Sequence, residues 1–527
     1  MATRVTRKDS LQEGLNLPSL VDLPVVKQDE YVATGRMSTA GNPFIELLGR
    51  HILDSSMLKL KCTQALPIAP PGGSDLIENP VLMALELSYL YKVPYPTPNL
   101  IRLHQRVLEV IATGYQERNP LNHAEAARVV HMLQTRRTEE IRAVVESSPG
   151  ANAPSIMVMG ASGMGKTFGL KYVLKLLPTA VRHLDYHGHV MNHVQVPHLY
   201  VQCPPTGTLK ALLLNILLQL DLRLGTRYFH KWLFSNFSTD VLLVNVGLIL
   251  YNHGLGAIVM DELQHLKVRG YAETEMLLNF FVSLMNFLQI PLISVGTYAA
   301  LDLLSQTMRD ARRLCASGTL DFCRYGAQEA TTRALQNYYF SFLPGLEFRP
   351  LTQAFHENAY GIHQGFHFLF PNLVHRCGVE TSYRGLKYVT DEVLNYYKDV
   401  ELKPIRKALD AVASGDPDRI AQYDDLMSPD AIKAMRNYQD RKARERIHGK
   451  TRTGSLGPAS AGISGRSSGL GDTVPEFPHE ELTEEEIRYQ CLASKMMFGD
   501  SDLYPALRAH NLLAPGVIYG HPLQGTR

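Results

Sequence analysis

The sequence predicts an α/β fold built on a doubly wound parallel sheet, with a helical region before it and a small α-helical lid after it. Three observations carry that expectation. Between residue 154 and about 300, short apolar runs alternate with helical patterns, as strands joined by helical crossovers do. One strand-to-helix junction reads Gly160-Ala-Ser-Gly-Met-Gly-Lys-Thr167, a match to G-x-x-x-x-G-K-[ST]. From about 345 to 440 the strand patterns stop and helical spacing takes over.

Taken in order, residues 1–60 are polar and punctuated by Pro and Gly, apart from the apolar knot NPFIELLG (Asn42 to Gly49), so a mostly extended arm is expected. Residues 61–150 carry apolar side chains at helical spacing in ENPVLMALELSYLYKV, PNLIRLHQRVLEVIATGYQ and HAEAARVVHMLQTRRTEEIRAVVESS. The core, 151–340, reads as SIMVM, the helix after the glycine-rich loop, HLYVQC, TLKALLLNILLQLDLRL, a helix near 240–251, GAIVM, a helix near 273–288 and PLISVG. A helical lid follows over 341–440. Residues 441–480 are a basic, Gly/Ser-rich linker, and 481–527 a tail in which Thr483 and Glu486 form a capping box for an amphipathic helix. Such a tether suits a partner.

At 527 residues the chain is too long for one core, so roughly two to four folded units are expected. Its 45% apolar and 20% charged content is that of a globular protein, and a net charge of +2 means that any nucleic-acid surface must be local. The six cysteines (Cys62, Cys203, Cys315, Cys323, Cys377, Cys491) form no C-x-x-C pair, which fits a reducing cytoplasm. MATRVTRKDSLQEG has no apolar core, so a signal peptide is not expected. The most apolar stretch, Val241 to Met260, is broken by Asn245, Asn252, His253 and Gly254, and reads as helix, turn and strand rather than a membrane span.

The glycine-rich loop has the residues for phosphate binding. Backbone N–H groups of Gly160, Ala161, Ser162, Gly163, Met164 and Gly165 can cradle phosphate oxygens, and the following helix adds its positive end. Lys166 would reach the β- and γ-phosphates, while the Thr167 hydroxyl would ligate Mg²⁺. Downstream, Gly256-Ala-Ile-Val-Met-Asp-Glu262 is an apolar strand ending in adjacent carboxylates: Asp261 suits the Mg²⁺ shell and Glu262 the polarisation of an attacking water. Thr297, at the end of PLISVG, is a candidate γ-phosphate sensor, with Ser294 as the lesser option. Arg309, Arg312 and Arg313 in MRDARRLCASG could supply a guanidinium to a transferring phosphoryl, or simply line a solvated helix face.

Together these stretches resemble the TnsC-type AAA+ regulators of cut-and-paste bacterial transposons, related to the TniB and IstB proteins. The motifs are NPFIELLG, GYQERNP (Gly114 to Pro120), the P-loop, GAIVMDELQHL, EMLLNFFVSLMNFLQIPLISVGT, RDARR and ELKPIRKALDAVASGDPDRIAQYDDL (Glu401 to Leu426). The resemblance implies a P-loop AAA+ core and an ATPase that forms a homo-oligomer, ring or filament, on duplex DNA. It would receive a target selector of the TniQ or TnsD kind, present the target to the transposase, and disassemble on hydrolysis. By position, Gly160, Gly165, Lys166 and Thr167 match the phosphate loop, Asp261 and Glu262 Walker B, and Thr297 sensor 1. Arg309, Arg312 and Arg313 lie where the family's post-sensor arginines lie. GIHQGFHFLF (Gly361 to Phe370) shows no sensor-2 arginine. The expected setting is the bacterial cytoplasm, on DNA and without a membrane.

Sequence-independent DNA affinity comes from phosphate neutralisation, for which Arg223, Arg227 and Lys231 are candidates, with Lys210 nearby. Solvated helix charge is the alternative. The run Lys433 to Arg452, with eight Lys/Arg against two acids, could add tethered affinity. Five histidines crowd RHLDYHGHVMNHVQVPH (His183, His187, His189, His193, His198), where a metal site competes with a partly exposed loop and strand.

Overall fold

The computed structural model describes residues 22–54, 56–64, 78–122, 153–204, 208–234, 238–268, 280–282, 284–286, 288–298, 300, 315–347, 349–423, 426 and 432–433. Contacts divide the chain into two compact units. The first draws mainly on residues 1–62 and 96–323, the second on 63–95 and 324–423. The helical region expected over 61–150 is therefore split between the two, and its residues 123–150 lie outside the described ones, as does the linker and tail from 441 onward.

The first unit is built on a six-stranded sheet. Its elements in chain order are α1 (Pro43–Glu46), α2 (Gly49–Leu53), α3 (Pro98–Gln116), β1 (Ser155–Met159), α4 (Lys166–Leu176), β2 (Val181–Tyr186), β3 (His189–Gln202), α5 (Leu209–Leu224), α6 (Tyr228–Leu233), α7 (Thr239–Asn252), β4 (Leu255–Asp261), β5 (Leu292–Val295) and β6 (Thr319–Asp321). The sheet order is β2-β3-β4-β5-β1-β6, parallel throughout except for β2 against β3. Every residue of β1, β4 and β5 is buried, which is why these strands read as continuous apolar runs. Each Ile, Val, Leu or Met so buried contributes about 1.5–3 kcal/mol.

Two strands were not anticipated. β6 is three residues long, too short for a periodic signal. β2 and β3 form a hairpin across the histidine-rich stretch, with His187 and Gly188 as its two-residue turn at φ 49° and 85°. Positive φ at both turn positions matches the right-handed twist of the strands.

Residues 22–54 do not form an extended arm. Val25 bridges Arg182 on the sheet edge, with Arg182 N–H donating to Pro24 at 2.8 Å and Val26 N–H to Arg182 at 2.9 Å. Asn42 caps α1 by accepting from Phe44 N–H, and donates to the Tyr115 carbonyl at 2.7 Å. The knot NPFIELLG is thereby buried: Ile45 and Leu48 are both fully shielded. A polar chain continues through it: Tyr31 O–H donates to His183 Nδ1 at 2.7 Å, His183 Nε2–H to Gln195 Oε1 at 2.9 Å, and Gln195 Nε2 to the Phe44 carbonyl at 2.9 Å. That network fixes the imidazole tautomer.

GYQERNP is a clamp on the first residues of β4. Arg118, 5% exposed, donates from Nε to the Gly114 carbonyl, from Nη1 to Leu255 and from Nη2 to Gly256, while Tyr115 O–H donates to Gly254 at 2.8 Å. Gly256 is required there, because a Cβ would sit 2.2 Å from the Pro197 carbonyl oxygen.

Among the described residues, the regular elements of the second unit are all helices, as expected for the lid. The helix Pro80–Leu87, capped by Asn79, packs on α10 (Leu369–Tyr383) beside α8 (Ala330–Phe340), α9 (Gln353–His363), α11 (Asp391–Tyr396) and α12 (Arg406–Ser414). At Gly378 a Cβ would meet Leu87 Cδ1 at 2.5 Å, so glycine permits that close packing. Arg376 pairs with Glu401 through two hydrogen bonds of 2.5 and 2.7 Å.

Arg118→Met keeps much of the volume and removes three donated hydrogen bonds. We expect it to lower unfolding free energy by about 2–4 kcal/mol in chemical denaturation. Leu255 is six residues from Asp261, about 20 Å along the strand, so nucleotide affinity should be unchanged.

Burial holds His183 and His253 at about 4 and His198 and His363 at about 3, so all four are neutral in the folded protein at neutral pH. The unfolded chain takes up these protons below about 6.5 and the folded chain does not. Stability is therefore intact above that pH and falls as the pH drops toward 4. Thermal denaturation at pH 5.0 should give a midpoint about 5 °C or more below that at pH 7.5.

Candidate nucleotide site

Parallel pairing brings three chain segments to one edge. β5 lies between β1 and β4, with Val158 opposite Val295 and Met260 opposite Ser294. The loop after β1, the acids after β4 and Thr297 after β5 thus emerge side by side at the carboxyl ends of the strands, where open α/β sheets bind ligands.

The loop needs its glycines. Gly160, Gly163 and Gly165 have φ of 150°, 80° and 81°. A Cβ on Gly160 would approach the Phe322 carbonyl oxygen to 2.8 Å, and Gly165 is the left-handed cap from which α4 starts. Ala161 and Met164 are buried beneath the loop and Ser162 is exposed. Lys166, 8% exposed, donates from Nζ to the carbonyls of Gly160 and Ala161, both at 2.8 Å. Thr167 is half-buried in the first turn of α4. A buried ammonium, a glycine-built concavity and a helix N-terminus are a donor set suited to a polyphosphate.

Asp261 is 2% exposed. Its Oδ1 accepts from Glu262 N–H at 2.9 Å and its Oδ2 from Tyr200 O–H at 2.6 Å. Burial and the neighbouring Asp261 push the Tyr200 hydroxyl well above its ordinary range, so it remains a donor. Glu262 is half-buried at φ 59° and accepts from Gln264 Nε2, while Gln264 Oε1 accepts from Thr297 N–H at 3.3 Å. Thr297 sits past the strand end; Ser294, paired with Met157 and Met260, is inside β5 and 1% exposed. Sequence reasoning missed Tyr200 and Gln264. Gln264 stood in the quoted DELQHL, but only the fold shows that its amide reaches β5. Arg309, Arg312 and Arg313 lie outside the described residues.

Between β3 and β4 the chain forms α5, α6 and α7. Asp221, buried at the end of α5, accepts from Tyr228 N–H at 3.0 Å and Phe229 N–H at 2.7 Å, fixing the turn into α6. Arg227 and Lys231 are exposed, one turn apart on one face. Arg223 does not join them. Its guanidinium turns inward onto the His198 carbonyl and ring, and burial lowers it to about 10. The expectation that Arg223 contacts DNA is corrected accordingly, since breaking these bonds would leave β3 polar groups unpaired.

No metal site arises from the histidines. His183 is consumed by its two hydrogen bonds, and among the described residues no group of three or more His, Cys, Asp or Glu is placed to hold an ion. Among the described residues, Cys62, Cys203, Cys315, Cys323 and Cys377 form no disulfide. Among the described residues no helix is long and apolar enough to cross a membrane.

Comparison with known families bears on the same segment. Residues 151–304 match the AAA domain family. The chain carries an AAA domain of the P-loop ATPase type, and its glycine-rich loop, acid pair and Thr297 all fall within the match. No curated protein matches the sequence. Among solved structures, the Walker-type ATPase PABY2304 of Pyrococcus abyssi is similar at 17% identity and a TM-score of 0.32, covering 54% of this chain and 76% of that one. Cdc6p of Pyrobaculum aerophilum is similar at 13% identity and 0.32, covering 48% and 64%. Orc1 of Aeropyrum pernix, solved in complex with DNA, is similar at 15% identity and 0.33, covering 58% and 83%. Similarity this distant does not bear on what this chain does.

Gly160→Ala should weaken binding of a fluorescent ATP analogue by about tenfold or more, because the Phe322 carbonyl must give way. Fluorescence titration measures it.

Proposed function

We propose that this protein is an ATP-driven switch that assembles as a homo-oligomer on duplex DNA and links a target-site selector, of the TniQ or TnsD kind, to the transposase of a bacterial transposon. The observation that carries the ATPase reading is the convergence of Lys166, Asp261, Glu262 and Thr297 at one sheet edge. The transposition reading is supported by the ordered run of TnsC-type motifs between residues 40 and 430.

In this reading the loop amides of residues 160–165 and Lys166 hold the phosphates of ATP. The Thr167 hydroxyl and the Asp261 carboxylate would hold Mg²⁺, which would supply charge neutralisation at the phosphate oxygens. Tyr200 donates to Asp261 and keeps that carboxylate oriented. Glu262 polarises the water that attacks the γ-phosphorus as the bond to the ADP oxygen breaks, and Thr297 senses the γ-phosphate. Arg309, Arg312 or Arg313 of a neighbouring subunit completes the site, so loss of the γ-phosphate removes contacts between subunits and releases the assembly. Arg227 and Lys231 meet DNA phosphates. The N-terminal residues are assigned to the selector, the tail after 480 to the transposase, and the whole to the DNA of a bacterial cytoplasm.

Electron microscopy and DNA-binding assays with a random duplex test the reading. With ATP, binding should appear at low salt and weaken about tenfold or more between 50 and 200 mM salt. Glu262→Gln should retain ATP and dissociate from DNA at least about tenfold more slowly than the parent. Arg227→Glu with Lys231→Glu should lose DNA while keeping nucleotide. ATP turnover indifferent to DNA, with no assembly on it, would favour an AAA+ ATPase acting on proteins alone.

A further inference from the structure

We infer that Gln264 is a positioning residue that aims the Glu262 carboxylate toward the end of β5 and couples it to Thr297. The inference rests on ATP hydrolysis at this site. Glu262 has φ of 59°, a backbone conformation that side-chain-bearing residues rarely hold without outside restraint. Its carboxylate nevertheless has one defined partner, the Gln264 Nε2 donor, whose own Oε1 accepts from Thr297 N–H at 3.3 Å.

Chemistry selects the residue type. A carboxylate only accepts and a backbone N–H only donates, so a bridge between them needs one donor and one acceptor on the same group. A primary amide supplies both, and the two partners fix which way round it sits. Space for it is provided by Gly296, where a Cβ would come within 3.1 Å of Gln264 Oε1. Because β5 separates β4 from β1, the bridge draws Glu262 toward the strand that adjoins the phosphate loop. Movement of the Thr297 main chain on contact with phosphate would pass through the amide to Glu262. Leaving the carboxylate free would disperse it over several rotamers and lower the fraction aimed at the attacking water.

The test compares full-length Gln264→Leu and Gln264→Glu with the parent, measuring kcat by phosphate release and Kd by titration with a fluorescent ATP analogue. Gln264→Glu retains an acceptor for Thr297 N–H but loses the donor to Glu262. Both variants should lower kcat by about tenfold or more, with Kd changed by less than about threefold. In a Glu262→Gln background, Gln264→Leu should add less than about a further twofold, since the two residues act as one unit. Thermal melts of all variants establish folding, and the near-isosteric Gln264→Glu serves if Gln264→Leu does not fold. Parent-like kcat in both variants, with the parent hydrolysing ATP, would overturn the inference alone, as would kcat and Kd worsening in parallel. A parent without ATP hydrolysis would overturn the nucleotide reading and this inference with it.

Discussion

Side-by-side parallel pairing of β4, β5 and β1 is the constraint on which the rest of the first unit depends. All three strands are buried, so their backbone N–H and C=O groups must be paired within the sheet. Parallel pairing satisfies them and sends every carboxyl end to the same edge. The phosphate loop, the acids and Thr297 are neighbours for that reason, although more than a hundred residues separate Lys166 from Thr297 in the chain.

The amino end of the sheet does different work. There Arg118 and Tyr115 hold the first residues of β4, and Asn42 ties the N-terminal segment to the same place. These contacts are dense, buried and made to backbone carbonyls, which suits rigidity rather than exchange with a ligand. Strained or polar groups at the opposite edge, such as Glu262 at positive φ, rest on that fixed platform. The buried clamp and the candidate nucleotide site thus occupy the two ends of one strand, β4.

The insertion between β3 and β4 shows how burial sorts like residues. Arg223, Arg227 and Lys231 fall within nine residues and are equally basic in sequence. The Asp221-fixed turn leaves Arg227 and Lys231 in solvent while the helix before it delivers Arg223 to the His198 carbonyl. The same principle converts the histidine-rich stretch from a candidate metal site into a hairpin, where His183 is a neutral hydrogen-bond relay among Tyr31, Gln195 and Phe44.

The sequence by itself determined four of the six strands of the sheet, the glycine loop with Lys166 and Thr167, and the Asp261–Glu262 pair. Each is a local pattern: apolar runs for buried strands, glycines where φ is positive, acids at a strand end. The helical character of the lid was legible for the same reason, from its spacing. Tertiary structure decided what depends on partners distant in the chain. It docked residues 22–54 against β2, closed the β2–β3 hairpin and turned Arg223 inward. It also placed Tyr200 on Asp261, 61 residues away, and Gln264 on Thr297, 33 residues away. A side chain's partner across such distances is set by sheet order and register, which no local pattern encodes.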